Sequence, residues 1–237
     1  YALYLLPIFA MNLKNNKNIL LISVTFLLIA LSFKRGAMLI EVSVFILLLV
    51  QLLNINWKYE ENKNKLILVA FAFIAVLIYG AIKYWNILTF RFVNNPSGSG
   101  RIYFYDWIYN GWLAGDWINH LFGFGLYQVI EYLGSVYDFP IYAHSDWLEL
   151  LYDHGILGIT VYSIICITLF INKNKVKLYA PNLYFPYLMT LMIFFIKSIY
   201  SGIYINKDSI ILMMTIAFIF GNANKNQSRM YLQDTNG

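Results

Sequence analysis

Long apolar runs separated by short polar connectors set the pattern of this chain. The runs lie near residues 19–33, 37–55, 66–82, 155–171, 183–205 and 209–221. Each approaches the ~20 residues that a helix needs to cross a hydrocarbon core of ~30 Å. The pattern predicts an all-α integral membrane protein with about six transmembrane helices. The opening segment, Tyr1 to Met11, is apolar but short and has no basic leader, so it fits neither a signal peptide nor a complete span. It is expected to be a helix cut by the start of the sequence. Residues 1–237 then form a single membrane domain, the C-terminal portion of a longer multi-pass protein.

Composition agrees with the pattern. Of the 237 residues, 60% are hydrophobic and 12% charged, and mean hydropathy is +0.60; a soluble domain carries roughly 25% charged residues. The single cysteine, Cys166, lies mid-run without a partner, which excludes a disulfide framework and leaves packing as its role. Net charge is +5, but the distribution matters more than the sum. Lys14, Lys17, Lys58, Lys63, Lys65, Lys173, Lys175, Lys177, Lys225 and Arg229 crowd the short connectors and the tail. The positive-inside rule makes those segments cytoplasmic, and the spread argues against nucleic acid.

Counting spans from there places the stretch 83–154 outside, as one large external loop. It carries Lys83, Arg91 and Arg101 against Asp106, Asp116, Glu131, Asp138, Asp146, Glu149 and Asp153, and it holds Trp85, Trp107, Trp112, Trp117 and Trp147 among many tyrosines. Amphipathic aromatics belong at the headgroup level, so this loop is expected to carry short interfacial helices along the membrane rather than a separate soluble domain. The turn 94–100 should deliver Arg101 to the start of one of them. Gly123-Phe-Gly125 reads as a turn.

Where the loop re-enters an apolar run stands His144. A short helix is expected to follow, with Trp147, Leu150, Leu151 and His154 on one face and Asp146, Glu149 and Asp153 on the other. A neutral imidazole at that helix mouth suits a general base near pH 7; a surface histidine bonded to the loop is the plain alternative. Asp146 and Glu149 have the spacing of a capping-box variant, with Asp at the N-cap, while Glu149 is also placed to orient His144. Gly155 and Gly158, one turn apart, permit close helix approach.

Arg35 opens a run from the outer side, and its planar fork suits bidentate binding of phosphate oxygens; snorkelling to headgroups is the alternative. Lys197, inside an apolar run, is a third candidate phosphate contact or a snorkelling residue. Glu41 pairs with a basic group or reaches the interface. His120 could replace His144 as the base, although nothing nearby singles it out. No metal-ligand spacing appears outside the membrane, so the site is expected to need neither metal nor cofactor.

Three segments together carry a family resemblance. Ala143 to Gly158 contains His-Ser, nine residues, then Gly-x-x-Gly; residues 32–37 read Ser-Phe-Lys-Arg-Gly-Ala; residues 99–101 read Ser-Gly-Arg. In that order they resemble the signature of the bacterial O-antigen ligase and O-antigen polymerase family over most of 19–171. Lys34 adds a charge that the pattern does not require. The resemblance implies an inverting, metal-independent glycan transferase of the bacterial cytoplasmic membrane, a helical bundle with its site facing the periplasm. Its implied donor is a glycan on undecaprenyl diphosphate, with Arg35 and Arg101 on the diphosphate and His144 activating the acceptor hydroxyl. The acceptor is a second lipid-linked repeat unit for a polymerase, or lipid A core for a ligase; membrane lipids and a chain-length regulator protein are further implied partners. The rival readings are a transporter for lipid-linked sugars, which would place ionisable groups near the midplane, and a non-catalytic scaffold.

Overall fold

A computed structural model describes residues 2–53 except 14, 33 and 34, residues 100–234 except 138, 205 and 208, and scattered positions between 64 and 89. The described elements are all α-helices. They are α1 (Ala2–Ala10), α2 (Asn16–Leu31), α3 (Arg35–Leu53), α4 (Arg101–Leu113), α5 (Trp117–Phe122), α6 (Gln128–Tyr137), α7 (Asp146–Ile171), α8 (Lys173–Tyr179), α9 (Pro181–Tyr200) and α10 (Ser209–Asp234). The expected span at 66–82 and the turn at 94–99 fall largely outside the described residues.

Two helical stretches, Asp146–Tyr179 and Pro181–Tyr200, are long and apolar enough to cross a membrane; Asn16–Ala30 and Gly36–Leu48 are apolar but shorter. The core helix of a soluble protein would pass the same test, but it would be mostly buried. The most apolar window of Asp146–Tyr179 is only 17% buried, leaving Val161, Ile164, Ile167 and Ile171 more than half exposed. Aliphatic surface of that extent is stable against lipid rather than water.

The chain divides into two compact units, one of residues 1–79, 169–195 and 207–237, the other of 80–168 and 196–206. In the first, α2 begins where the Asn15 side chain accepts the backbone N–H of Lys17 at 3.0 Å, an N-cap that satisfies one of the free donors of the first turn. Phe26 on α2 meets Phe45 on α3 edge to face, with centroids 6.0 Å apart. The Tyr187 hydroxyl, fully buried, donates to the Leu169 carbonyl at 2.6 Å, as a buried hydroxyl requires. The connector at 172–178 is not a loop but the short helix α8, ending at Tyr179, whose carbonyl accepts from the Asn226 side chain of α10.

The second unit contains the short helices α4, α5 and α6 expected of the aromatic stretch. It closes a core of its own around Phe104, Ile108, Val129, Leu133, Ala143 and Tyr152. Tyr152 stacks between Phe124, at 4.5 Å, and Tyr132, at 5.0 Å. Burying an aromatic pair gains its area term plus ~0.5–1.5 kcal/mol of ring–ring attraction. Other aromatics of the same stretch stay outside, with Trp117 at 71% and Tyr103 at 57% exposure.

Candidate functional site

The site is built on the start of α7 in the second unit. The helix begins at Asp146, and the Glu149 N–H donates to the Ser145 carbonyl at 3.0 Å, so Ser145 occupies the position before the first turn. Asp146 therefore does not cap the helix as its spacing suggests. Its side chain, fully buried, turns away: one oxygen accepts the backbone N–H groups of Ile203 at 2.6 Å and Tyr204 at 2.8 Å, and the other accepts the Tyr162 hydroxyl at 2.8 Å. Glu149 reaches back along the chain, accepting the backbone N–H of His144 at 3.2 Å.

That bond fixes the backbone of His144 rather than its ring. His144 has φ 59°, a left-handed conformation that is uncommon for residues other than glycine. Such a conformation persists only where the surroundings over-determine it, and it concentrates at functional positions. The same neighbourhood contains the Arg101 guanidinium. Burial, and then the Arg101 charge, hold the His144 imidazole below its ordinary pKa of 6.5. The ring is thus neutral near pH 7, the state in which it can accept a proton.

Arg101 is the first residue of α4, preceded by Gly100 at φ 85°. Its guanidinium donates to the carbonyl of Tyr200, the last residue of α9, and the Tyr105 hydroxyl donates to the Ile199 carbonyl at 3.3 Å. The Lys197 carbonyl accepts from the N–H groups of Ser201 and Gly202. The end of α9 thereby satisfies carbonyls that would otherwise be orphans, and a cation sits where the helix dipole is negative. A guanidinium carries five N–H donors, of which this carbonyl takes one.

Lys197 is buried in the last turn of α9, and its ammonium acts electrostatically on the Asp146 carboxylate. Arg35 is the first residue of α3 in the first unit; its side chain, like Lys34 and Ser99, lies outside the described residues. Glu41, also in the first unit, is fully buried, with no hydrogen-bond partner for its carboxylate among the described residues. His120 packs against Trp112 with centroids 4.7 Å apart. Among the described residues no group of three or more His, Cys, Asp or Glu is placed to hold a metal ion.

The two glycines below His144 have different tasks. Gly155 is a kink inside α7, at φ 63° and ψ −156°, a region open essentially to glycine alone. A Cβ there would lie 2.6 Å from the Leu121 carbonyl and 2.7 Å from the Gly123 nitrogen, and a Cβ on Gly123 would lie 2.3 Å from the Asp153 carbonyl. The close approach at Gly155 is therefore between α7 and the end of α5 with Gly123 just after it. Asp153 completes it by accepting the N–H groups of Tyr127 and Val129, both at 2.9 Å, at the start of α6. At Gly158 a Cβ would meet the Cβ of His154 at 2.5 Å, so the small residue makes room for that side chain, whose Nε2 lies 2.7 Å from the Tyr204 hydroxyl.

Beside this pair an open cavity of about 480 Å³ runs along one face of α7, lined by Phe122, Leu150, Leu157, Val161 and Ile165 among others. Leu157 to Ile165 spans ~12 Å at 1.5 Å per residue.

The sequence pattern of the family described as O-antigen ligase matches residues 19–163. The chain belongs to the O-antigen ligase family. The match covers Arg35, Arg101, His144, Glu149, Gly155 and Gly158, and ends before Lys197 and the 201–204 turn that Asp146 holds. No curated protein and no solved structure matches the chain. Membership of the O-antigen ligase family makes this a glycosyltransferase-like membrane protein acting on lipid-linked glycan.

Proposed function

We propose that the protein is an inverting, metal-independent glycan transferase that joins repeat units carried on undecaprenyl diphosphate at the periplasmic face of the bacterial cytoplasmic membrane. The observation that carries this reading is the half-buried His144, held in a left-handed backbone conformation at the start of α7 and within the electrostatic reach of the Arg101 guanidinium, which with burial lowers the imidazole pKa. His144 takes the proton from the acceptor hydroxyl as that oxygen attacks C1 of the donor sugar. The C1–oxygen bond to the diphosphate breaks, and Arg101, with Lys197 as a further contact, neutralises the charge that develops on the leaving group, a task the family resemblance gives to Arg35 as well. The groove along α7 accepts part of the prenyl tail, its apolar lining matching a hydrocarbon. The apolar runs support about six spans, and the basic connectors support an outward-facing site.

Replacing Arg101 with alanine is expected to weaken binding of the lipid diphosphate by roughly 10- to 150-fold, the loss of ~1.5–3 kcal/mol for hydrogen bonds to a charged group. Lysine should rescue poorly because it lacks the fork. Titration of the purified full-length protein with undecaprenyl diphosphate measures both. The family's description favours a second reading, transfer of finished glycan to lipid A core. Lipopolysaccharide from a deletion strain separates the two: a single repeat on the core marks a lost polymerase, and bare core with polymer left on the carrier marks a lost ligase. Normal lipopolysaccharide in that strain would reject both.

A further inference from the structure

The Asp146 carboxylate and the Arg101 guanidinium grip the same short segment from opposite sides. Arg101 donates to the carbonyl of Tyr200, and three and four residues later the N–H groups of Ile203 and Tyr204 donate to Asp146. Between them lies Gly202, at φ 73°, whose added Cβ would stand 3.4 Å from the Asp146 oxygen. The turn is thus held between two side chains, one of which carries the diphosphate contact.

We propose that Asp146 is a positioning residue for Arg101: by fixing the 201–204 turn it fixes the Tyr200 carbonyl that aims the guanidinium beside His144. The proposal rests on the reading of Arg101 as a diphosphate ligand. Asp146 is fully buried and spends both oxygens on protein donors, so it does not touch substrate itself. Because it directly follows His144-Ser145, one helix start carries the base and also anchors the turn that orients the cation. Base and diphosphate contact are therefore set in register by a single residue. At a sequence separation of 57, the bond between Asp146 and Ile203 is one of the long-range ties between the two segments of the second unit.

A misplacement of about 1 Å at a reacting group can cost ~10²-fold in rate, and Asp146→Ala is expected to lose transfer on that scale. Asp146→Asn keeps the oxygen that accepts from Ile203 and Tyr204, and is expected to recover most of it. The decisive readout is the pH–rate profile. The Arg101 charge acts on the His144 imidazole and Glu149 accepts its backbone N–H, while Tyr105 interacts with Arg101, Tyr200 and Glu149, and Asp146 with Glu149 and Lys197. Of these, Arg101 is the charge that lowers the imidazole pKa. If the turn relaxes and the guanidinium swings away, the acid limb of the profile moves to higher pH in Asp146→Ala, as it should in Arg101→Ala. A purely structural role would lower the rate at every pH and leave the limb in place.

Gly202→Ala strains the same turn from its other side, and should shift the limb in the same direction should the Asp146→Ala protein fail to fold. The experiment is the pH–rate profile of the four purified full-length variants, with binding of undecaprenyl diphosphate measured on each. An unmoved acid limb and wild-type lipid affinity in folded Asp146→Ala, or in Gly202→Ala, overturn the positioning role. Wild-type affinity in Arg101→Ala overturns instead the diphosphate reading beneath it.

Discussion

Replacing His144 with asparagine is expected to reduce glycan transfer by about 10²–10⁴-fold, the usual share of a general base, while leaving the protein folded. Asparagine tolerates the left-handed backbone that His144 adopts at φ 59°, and the Glu149 carboxylate grips the backbone N–H rather than the ring. The substitution therefore removes the proton acceptor with little disturbance of the helix start. Steady-state transfer with lipid-linked glycan, alongside thermal unfolding of the same preparation, separates chemistry from folding. Unchanged turnover would remove the imidazole from the reaction. In the unaltered protein the sign of the pH dependence is fixed by the lowered His144 pKa. The base is active when unprotonated, so the rate should rise with pH, with the midpoint of the rise below 6.5, the ordinary imidazole value.

Gly155→Ala is expected to be the most damaging change to the fold. The φ, ψ pair at the kink costs a residue with a side chain about 1–3 kcal/mol from backbone strain alone. The clash adds to this, because the three atoms nearest the new Cβ belong to the backbone of Leu121 and Gly123, which no rotamer change moves. Either α7 straightens, or the loop after α5 moves away from Tyr152 and Asp153, whose carbonyls accept the N–H groups of Phe124 and Gly125. A lowered unfolding temperature together with loss of transfer is the expected outcome. Wild-type stability in Gly155→Ala would mean that the kink is dispensable.

The helices over 16–31, 35–53, 146–171 and 181–200 lie close to the apolar runs that announce them, because length and composition suffice to mark a segment that lipid can surround. What the runs hide is side-chain direction across long separations. The acidic residues Asp146, Glu149 and Asp153 recur at helical spacing and so share a face, yet nothing in the spacing says that this face points inward to donors from residues 127–129 and 203–204. The composition of 101–154 suggests amphipathic helices, and the core formed by Tyr152, Tyr132 and Phe124 depends on a loop folding back on α7. The proximity of Arg101 to His144 is likewise a product of chain reversal, although the family resemblance names both residues. Tyr204 and Tyr105 carry no sequence signal of their own; they matter through the His154 ring and the Ile199 carbonyl that they meet.

The central claim is that protein cations and a neutral imidazole, without a metal, drive release of the diphosphate carrier. Its most direct test is the release of undecaprenyl diphosphate from lipid-linked glycan by the purified full-length protein in excess chelator. Release undiminished by chelator, and reduced in both His144→Asn and Arg101→Ala, is the result expected. Release that stops on chelation and returns with added divalent ion, or that proceeds unchanged in both variants, would contradict it.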